Sequence, residues 1–153
     1  QKRQLAMYGI MLFLHVLAAT VWTGGHLVLM VTILPRVLRD KSPVELLRFE
    51  SAFERIGIPA LLIQVVTGVW LAYRTVPDVC QWFAFDESIS RLISVKFMLL
   101  VVTLGLAVDA RLRIIPRLSG DNFISLVWHI VLVTLISVLF VVVGVSFRTG
   151  WMY

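Results

Sequence analysis

The stretch Leu5–Leu34, LAMYGIMLFLHVLAATVWTGGHLVLMVTIL, is a run of thirty predominantly apolar residues closed by Pro35-Arg36. About 20 such residues cross a hydrocarbon core, so this run spans a bilayer with length to spare for tilt or for extension past the interface. Three further runs follow it. The second extends from about Pro59, a residue suited to a first helical turn, to Val76; Trp70, Tyr73 and Arg74 mark an interface and Pro77 stops the helix. The third covers about Ser90 to Ile115 and ends at Pro116, and the fourth covers about Phe123 to Phe147 after a Ser119-Gly120-Asp121-Asn122 turn. This pattern predicts an all-α fold: an integral membrane four-helix bundle, forming one transmembrane domain over residues 1–153.

Composition supports the same reading. Of the 153 residues 59% are apolar and only 15% charged, and the mean hydropathy is +0.93, which is outside the range of soluble domains and calls for a lipid-facing exterior. The net charge of +5 would suggest nucleic acid in a soluble protein, but here the basic residues fall in the connections and act as topology signals. No nucleic-acid partner is expected. Cys80 is the single cysteine, so neither an internal disulfide nor a CxxC metal pair can form. The first apolar run is too long for a signal-peptide core and has no small-x-small cleavage site, so it is expected to stay in the membrane.

Between the first two spans, residues 36–56 mix Arg39, Lys41, Arg48 and Arg55 with Glu45, Glu50 and Glu54, while Leu46, Leu47, Phe49 and Phe53 recur at helical spacing. A short amphipathic helix on the membrane surface is expected there. Pro77 to Glu87 carries Trp82, Phe83 and Phe85, which suits a loop at headgroup level. The first and third connections hold eight basic residues (Arg36, Arg39, Lys41, Arg48, Arg55, Arg111, Arg113, Arg117) against five on the other side (Lys2, Arg3, Arg74, Arg91, Arg148). The positive-inside rule then places both termini on the non-cytoplasmic side, in a membrane expected to be the bacterial inner one. No internal repeat stands out.

Ionisable groups inside spans are expensive and mark function. There are four: His15, His26, Lys96 and His129. His15 and His26 are eleven residues apart, which returns to within about 20° of the same helix face, roughly 16 Å along the axis. Trp22 lies between them, and Gly24 and Gly25 thin the neighbouring surface. Counting inward along the first helix and outward along the fourth sorts the four residues into an inner pair, His26 with His129, and an outer pair, His15 with Lys96.

A facing pair of neutral imidazoles in a dry bundle suits low-spin haem b, with His26 and His129 as axial ligands and propionates directed to Arg36, Arg111 or Arg113. The bland reading is two histidines hydrogen-bonded to backbone or to each other. Copper competes: His26 and Met30, an i,i+4 pair, offer the soft donors that Cu(I) favours, although Met7, Met11, Met98 and Met152 are scattered and read as filler. Lys96 either snorkels to the interface or pairs with an anionic group, a propionate or a quinone head, near His15. Gln64, Thr67 and Gly68 could line that cavity.

The run His15-Val-Leu-Ala-Ala-Thr-Val-Trp22-Thr-Gly24-Gly25-His26, followed after eight residues by Pro35-Arg36, resembles the first helix of the copper-resistance protein D (CopD) family and of the related HemJ-type protoporphyrinogen oxidases. Those families show a histidine, six residues, then Trp and a glycine-containing turn. Thr67-Gly68-Val-Trp70 and the segment around Lys96 are similar as well. The HemJ resemblance implies haem b and porphyrinogen oxidation, with His15 and Lys96 as the residues that matter; the CopD resemblance implies copper handling. After Trp22 this chain has Thr-Gly-Gly-His where the HemJ pattern is more apolar and aromatic, and His26 there favours a further haem or metal ligand.

The leading expectation is a haem-b-binding, cytochrome b-like protein that carries electrons within the membrane as part of a redox complex. It would hold one haem between His26 and His129, and a second haem, quinone or porphyrin at His15 and Lys96. Any enzyme activity would be that of an oxidoreductase on quinol or porphyrinogen. The alternatives are CopD-like copper transport or delivery, HemJ-like protoporphyrinogen oxidation, and a cofactor-free accessory subunit.

Overall fold

The computed structural model describes residues 2–118 and 123–152; the expected turn at 119–122 lies outside them. Four helices are long and apolar enough to cross a membrane: α1 (Lys2–Asp40), α2 (Val44–Thr75), α3 (Ser88–Arg117) and α4 (Phe123–Thr149). The protein is an integral membrane protein of all-helical architecture.

Helix α1 does not end at Pro35 but continues to Asp40. A proline inside a helix lacks an N–H and collides with the carbonyl four residues back. The chain relieves this by widening into a π-helical turn over Leu29–Ile33, where the Leu34 N–H bonds the Leu29 carbonyl, five residues back. Lys41, in the left-handed region at φ 48°, terminates the helix.

The second helix also departs from expectation. Pro59 is interior to α2, which starts at Val44, so the expected surface helix is the first part of a long continuous one. The apolar positions that suggested an amphipathic helix have found protein to cover them. Leu46 is fully buried in a core with Leu34 and Val37 of α1, Ala110 and Ile114 of α3, and Phe123, Leu126 and Ile130 of α4. This core closes the end of the bundle that carries the basic connections, called here the basic end.

Helix α3 repeats the device of α1. Its α-helical part ends at Asp109, a π-helical turn spans Ala110–Ile114, and a 3-10 turn over Ile115–Arg117 holds Pro116. In the α2–α3 connection, Trp82 is buried against Val76 and Ile93, and its Nε1–H donates to the Val76 carbonyl at 2.8 Å. It pins the loop inward, whereas Phe83 and Phe85 remain exposed as expected.

Helix α1 packs along α2 and α4, and α3 packs along α4; α2 and α3 form no comparable seam. Lipid-facing positions are large and apolar, while the buried set includes Thr23, Thr67, Ser90, Ser94, Thr103, Thr134, Ser137 and Ser146. Small hydroxyl residues let helices approach closely, and their protons go to nearby carbonyls, as Thr134 Oγ1 does to Ile130 at 2.7 Å.

Candidate functional site

His15 projects from α1 against α2. Its Nδ1 lies 3.0 Å from Thr67 Oγ1, and Thr67 donates its own proton to the Ile63 carbonyl at 2.6 Å. A hydroxyl has one proton to give. His15 is therefore the donor of the pair, with a proton on Nδ1, and the Gln64 backbone is a further hydrogen-bond partner of the ring. The approach is close because residue 68 is glycine: a Cβ there would come 3.0 Å from His15 Cε1.

His26 is held in the same tautomer by a different acceptor. Its Nδ1–H donates to the Trp22 carbonyl, one turn back, at 2.8 Å. The ring lies between two aromatic groups, Trp22 with centroids 4.5 Å apart and Phe53, which meets it edge-on at 5.4 Å. Phe53 fits there because it is flanked by glycines. Its ring occupies the place of a Cβ on Gly25, and a Cβ on Gly57 would stand 2.8 Å from Phe53 Cε1. Gly24, by contrast, faces open space.

Lys96 projects from α3 toward α4. Its Nζ sits 5.2 Å from the centre of the Phe147 ring and 3.6 Å from where a Cβ on Gly144 would be. Among the described residues it has no carboxylate partner. The two residues of the expected outer pair thus rest on different helices, His15 on α2 and Lys96 on α4. Gln64, a turn from Thr67 on α2, has a buried Oε1 with no hydrogen-bond partner.

The expected inner pair has a different arrangement. His129 Nδ1–H donates to the Ser125 carbonyl at 2.9 Å, and Nε2 lies 2.9 Å from Asp109 Oδ2. Asp109 also accepts from Arg113 Nη1 at 3.0 Å. Both nitrogens of His129 are engaged, so it presents no lone pair to an axial position. His26 faces α2 while His129 faces α3. The arginines expected at propionates have carboxylate partners as well: Arg36 with Glu45 at 3.5 Å and Arg111 with Glu54. These residues do not fit a bis-histidine haem. Trp128, next to His129, points outward, and Met30 sits half-buried in the π-helical turn of α1.

Among the described residues no group of three or more His, Cys, Asp or Glu side chains could hold a metal ion. What the bundle offers instead is two separate imidazoles on one helix, each held through Nδ1. Sequence reasoning missed Phe53 as the partner of His26 and Asp109 as the partner of His129. Phe53 was visible only as one apolar position of an amphipathic pattern, and Asp109 only as a charge near a helix end.

The sequence model of the family described as copper resistance protein D matches residues 47–147, about two thirds of the chain. The chain belongs to the copper resistance protein D family. No curated protein and no solved structure matches it. The stretch matched to the copper resistance protein D family contains Thr67, Gly68, Lys96, Asp109 and His129, and begins after the part of α1 that carries His15 and His26.

Proposed function

We propose that this membrane protein handles copper, taking the monovalent ion as transient cargo at the Nε2 atoms of His15 and His26. The observation that carries this reading is the fixed tautomer of both rings. Thr67 and the Trp22 carbonyl each hold a proton on Nδ1, and a second-shell acceptor of this kind orients an imidazole for metal binding and raises its basicity. Both rings lie on the α2 side of α1, separated by roughly 16 Å along the axis, which spaces two stations along one seam. Among the described residues no carboxylate pairs with either ring, so the hard divalent cations that want oxygen ligands are poorly served and Cu(I) is favoured. A site with so few donors releases its ion readily, which suits transport or delivery more than storage.

The test is a Cu(I) titration of the purified protein against a competing chelator. Each of His15→Ala and His26→Ala is expected to weaken binding, and the double variant to abolish it with the helical fold intact by circular dichroism. Undiminished binding in the double variant sinks the proposal. An optical spectrum checks the haem expectation independently: a Soret band that disappears in His26→Ala would favour the cytochrome reading.

A further inference from the structure

Helix α3 lies at the edge of the bundle, packed along α4 and forming no comparable seam with α2. Its Thr103, Ala110 and Ile114 are buried, the last two in one core with Phe123, Leu126 and Ile130 of α4. The opposite side carries Met98, Val101, Gly105, Val108 and Leu112, which recur at intervals of three, four, three and four residues. That spacing keeps a contact line straight along a pair of helices. At 1.5 Å per residue the line is about 21 Å long, most of the thickness of a hydrocarbon core. Its four side chains are between 55% and 70% exposed.

Exposed apolar side chains are ordinary in lipid, but three features of this face are not. A Cβ on Gly105 would meet no atom of the described residues within 4 Å, so nothing in the chain requires glycine there, and in a helix interior glycine is worse than alanine. What its missing side chain permits is the close approach of a second backbone. The face is also sculpted. A groove of about 410 Å³ runs past Gly105 between Leu104, Val108 and Leu112, and another of about 390 Å³ lies between Met98 and the rings of Phe83 and Phe85. Phe85 takes a backbone φ of 58°, a region that bulky residues rarely occupy, and lines that second groove. Finally, Asp109 and Arg113 at the basic end of the first groove pair at 3.0 Å. The groove therefore carries no net charge: an anionic headgroup finds a guanidinium already held by a carboxylate, whereas two copies of this face do not repel each other.

We infer that the outer face of α3 is the interface of a homodimer, in which two copies of α3 pack in parallel about a two-fold axis along the membrane normal. Copies inserted in the same direction present this face at the same depth, as an isologous contact requires. The backbones cross at Gly105, where neither copy has a side chain, and Val101 and Val108 of each copy flank the crossing. His15 and His26 face α2, away from this line, so the inference does not rest on the copper reading.

Disulfide cross-linking in membranes tests this, using the full chain with Cys80→Ser, iodine as oxidant and one cysteine added at a time. Val101→Cys and Val108→Cys are expected to give covalent dimers, and Val66→Cys on α2 and Leu135→Cys on α4, both exposed as well, none. Counting fluorescent chains in dilute liposomes should give two per particle for the wild type and one for Gly105→Leu, with the helical circular dichroism unchanged. Should Gly105→Leu fail to fold, Gly105→Ala is expected to lower the share of two-chain particles. Cross-linking at Val66 or Leu135 as strong as at Val101 overturns the inference, as do dimers undiminished by both substitutions at 105. Single chains of the wild type in dilute liposomes also overturn it, and leave lipid as what covers the face.

Discussion

Thr67 accepts the Nδ1–H of His15 at 3.0 Å while passing its own proton to the Ile63 carbonyl at 2.6 Å, so one hydroxyl sets the tautomer of an imidazole on the neighbouring helix. Thr67→Val keeps the shape and removes the acceptor. A buried N–H left without a partner costs about 1–3 kcal/mol, and loss of a second-shell partner lowers metal affinity by about 10–100-fold. The thermal midpoint in detergent is therefore expected to fall, and Cu(I) affinity to fall with it, while Thr67→Ser retains both. Unchanged copper affinity in Thr67→Val would separate the His15 ring from metal binding.

Phe53 and Gly25 make a coupled pair, because the ring fills the space that a side chain at 25 would need. Gly25→Ala overpacks this contact and should cost about 1–3 kcal/mol, and Phe53→Ala leaves a cavity beside His26 worth about 3–5 kcal/mol. In the double variant the new methyl enters the vacated space. The two effects should fall short of additivity by about 0.5–3 kcal/mol in a double-mutant cycle. Additive losses would mean that the ring does not sit on Gly25.

The spans themselves were legible in the sequence, since hydropathy and length alone decide that a segment crosses a bilayer. Their ends were not. Pro35 is a strong local stop signal and Pro59 a start signal, but tertiary contacts override both: the basic-end core around Leu46 and Val37 makes the longer helices worth forming. The candidate site divides in the same way. That His15, His26 and Lys96 are candidates follows from their cost in lipid. Depth suggested that His15 meets Lys96, yet His15 rests on α2 and Lys96 on α4. Depth also suggested that His26 meets His129, yet rotation about the helix axis decides which neighbour a ring faces, and one sequence gives no phase between helices. Asp109 took His129, a pairing across twenty residues at the start of a π-helical turn.

His129 is expected to serve structure. With Nδ1 on Ser125 and Nε2 on Asp109, it ties α4 to the end of the α-helical part of α3. His129→Ala should lower stability by about 1 kcal/mol, the typical worth of such a bond, and leave Cu(I) binding unchanged. Arg113 is mostly exposed, and Arg113→Ala should stay within about 0.5 kcal/mol of wild type. A large loss of copper in His129→Ala would return this residue to the list of ligands.

The π-helical turn in α1 gives the last expectation its sign. Such a turn holds one residue more than the α-helix around it, and here it precedes Pro35, whose ring cannot sit in an undistorted α-helix. Val31 lies in the turn and is 68% exposed, so deleting it removes the extra residue without touching the core. His26 on one side and Val37 on the other then keep their faces, but Pro35 is forced against the carbonyl four residues back. The deletion alone should cost about 3 kcal/mol, the penalty for an interior proline, and Pro35→Ala should restore most of that loss by supplying the missing N–H. The same pair of changes in α3, deletion of the exposed Leu112 with Pro116→Ala, should behave alike. Thermal unfolding of the single and paired variants measures both. If Pro35→Ala fails to rescue the deletion, the turn exists to set the rotation of the basic-end core and not to accommodate the proline.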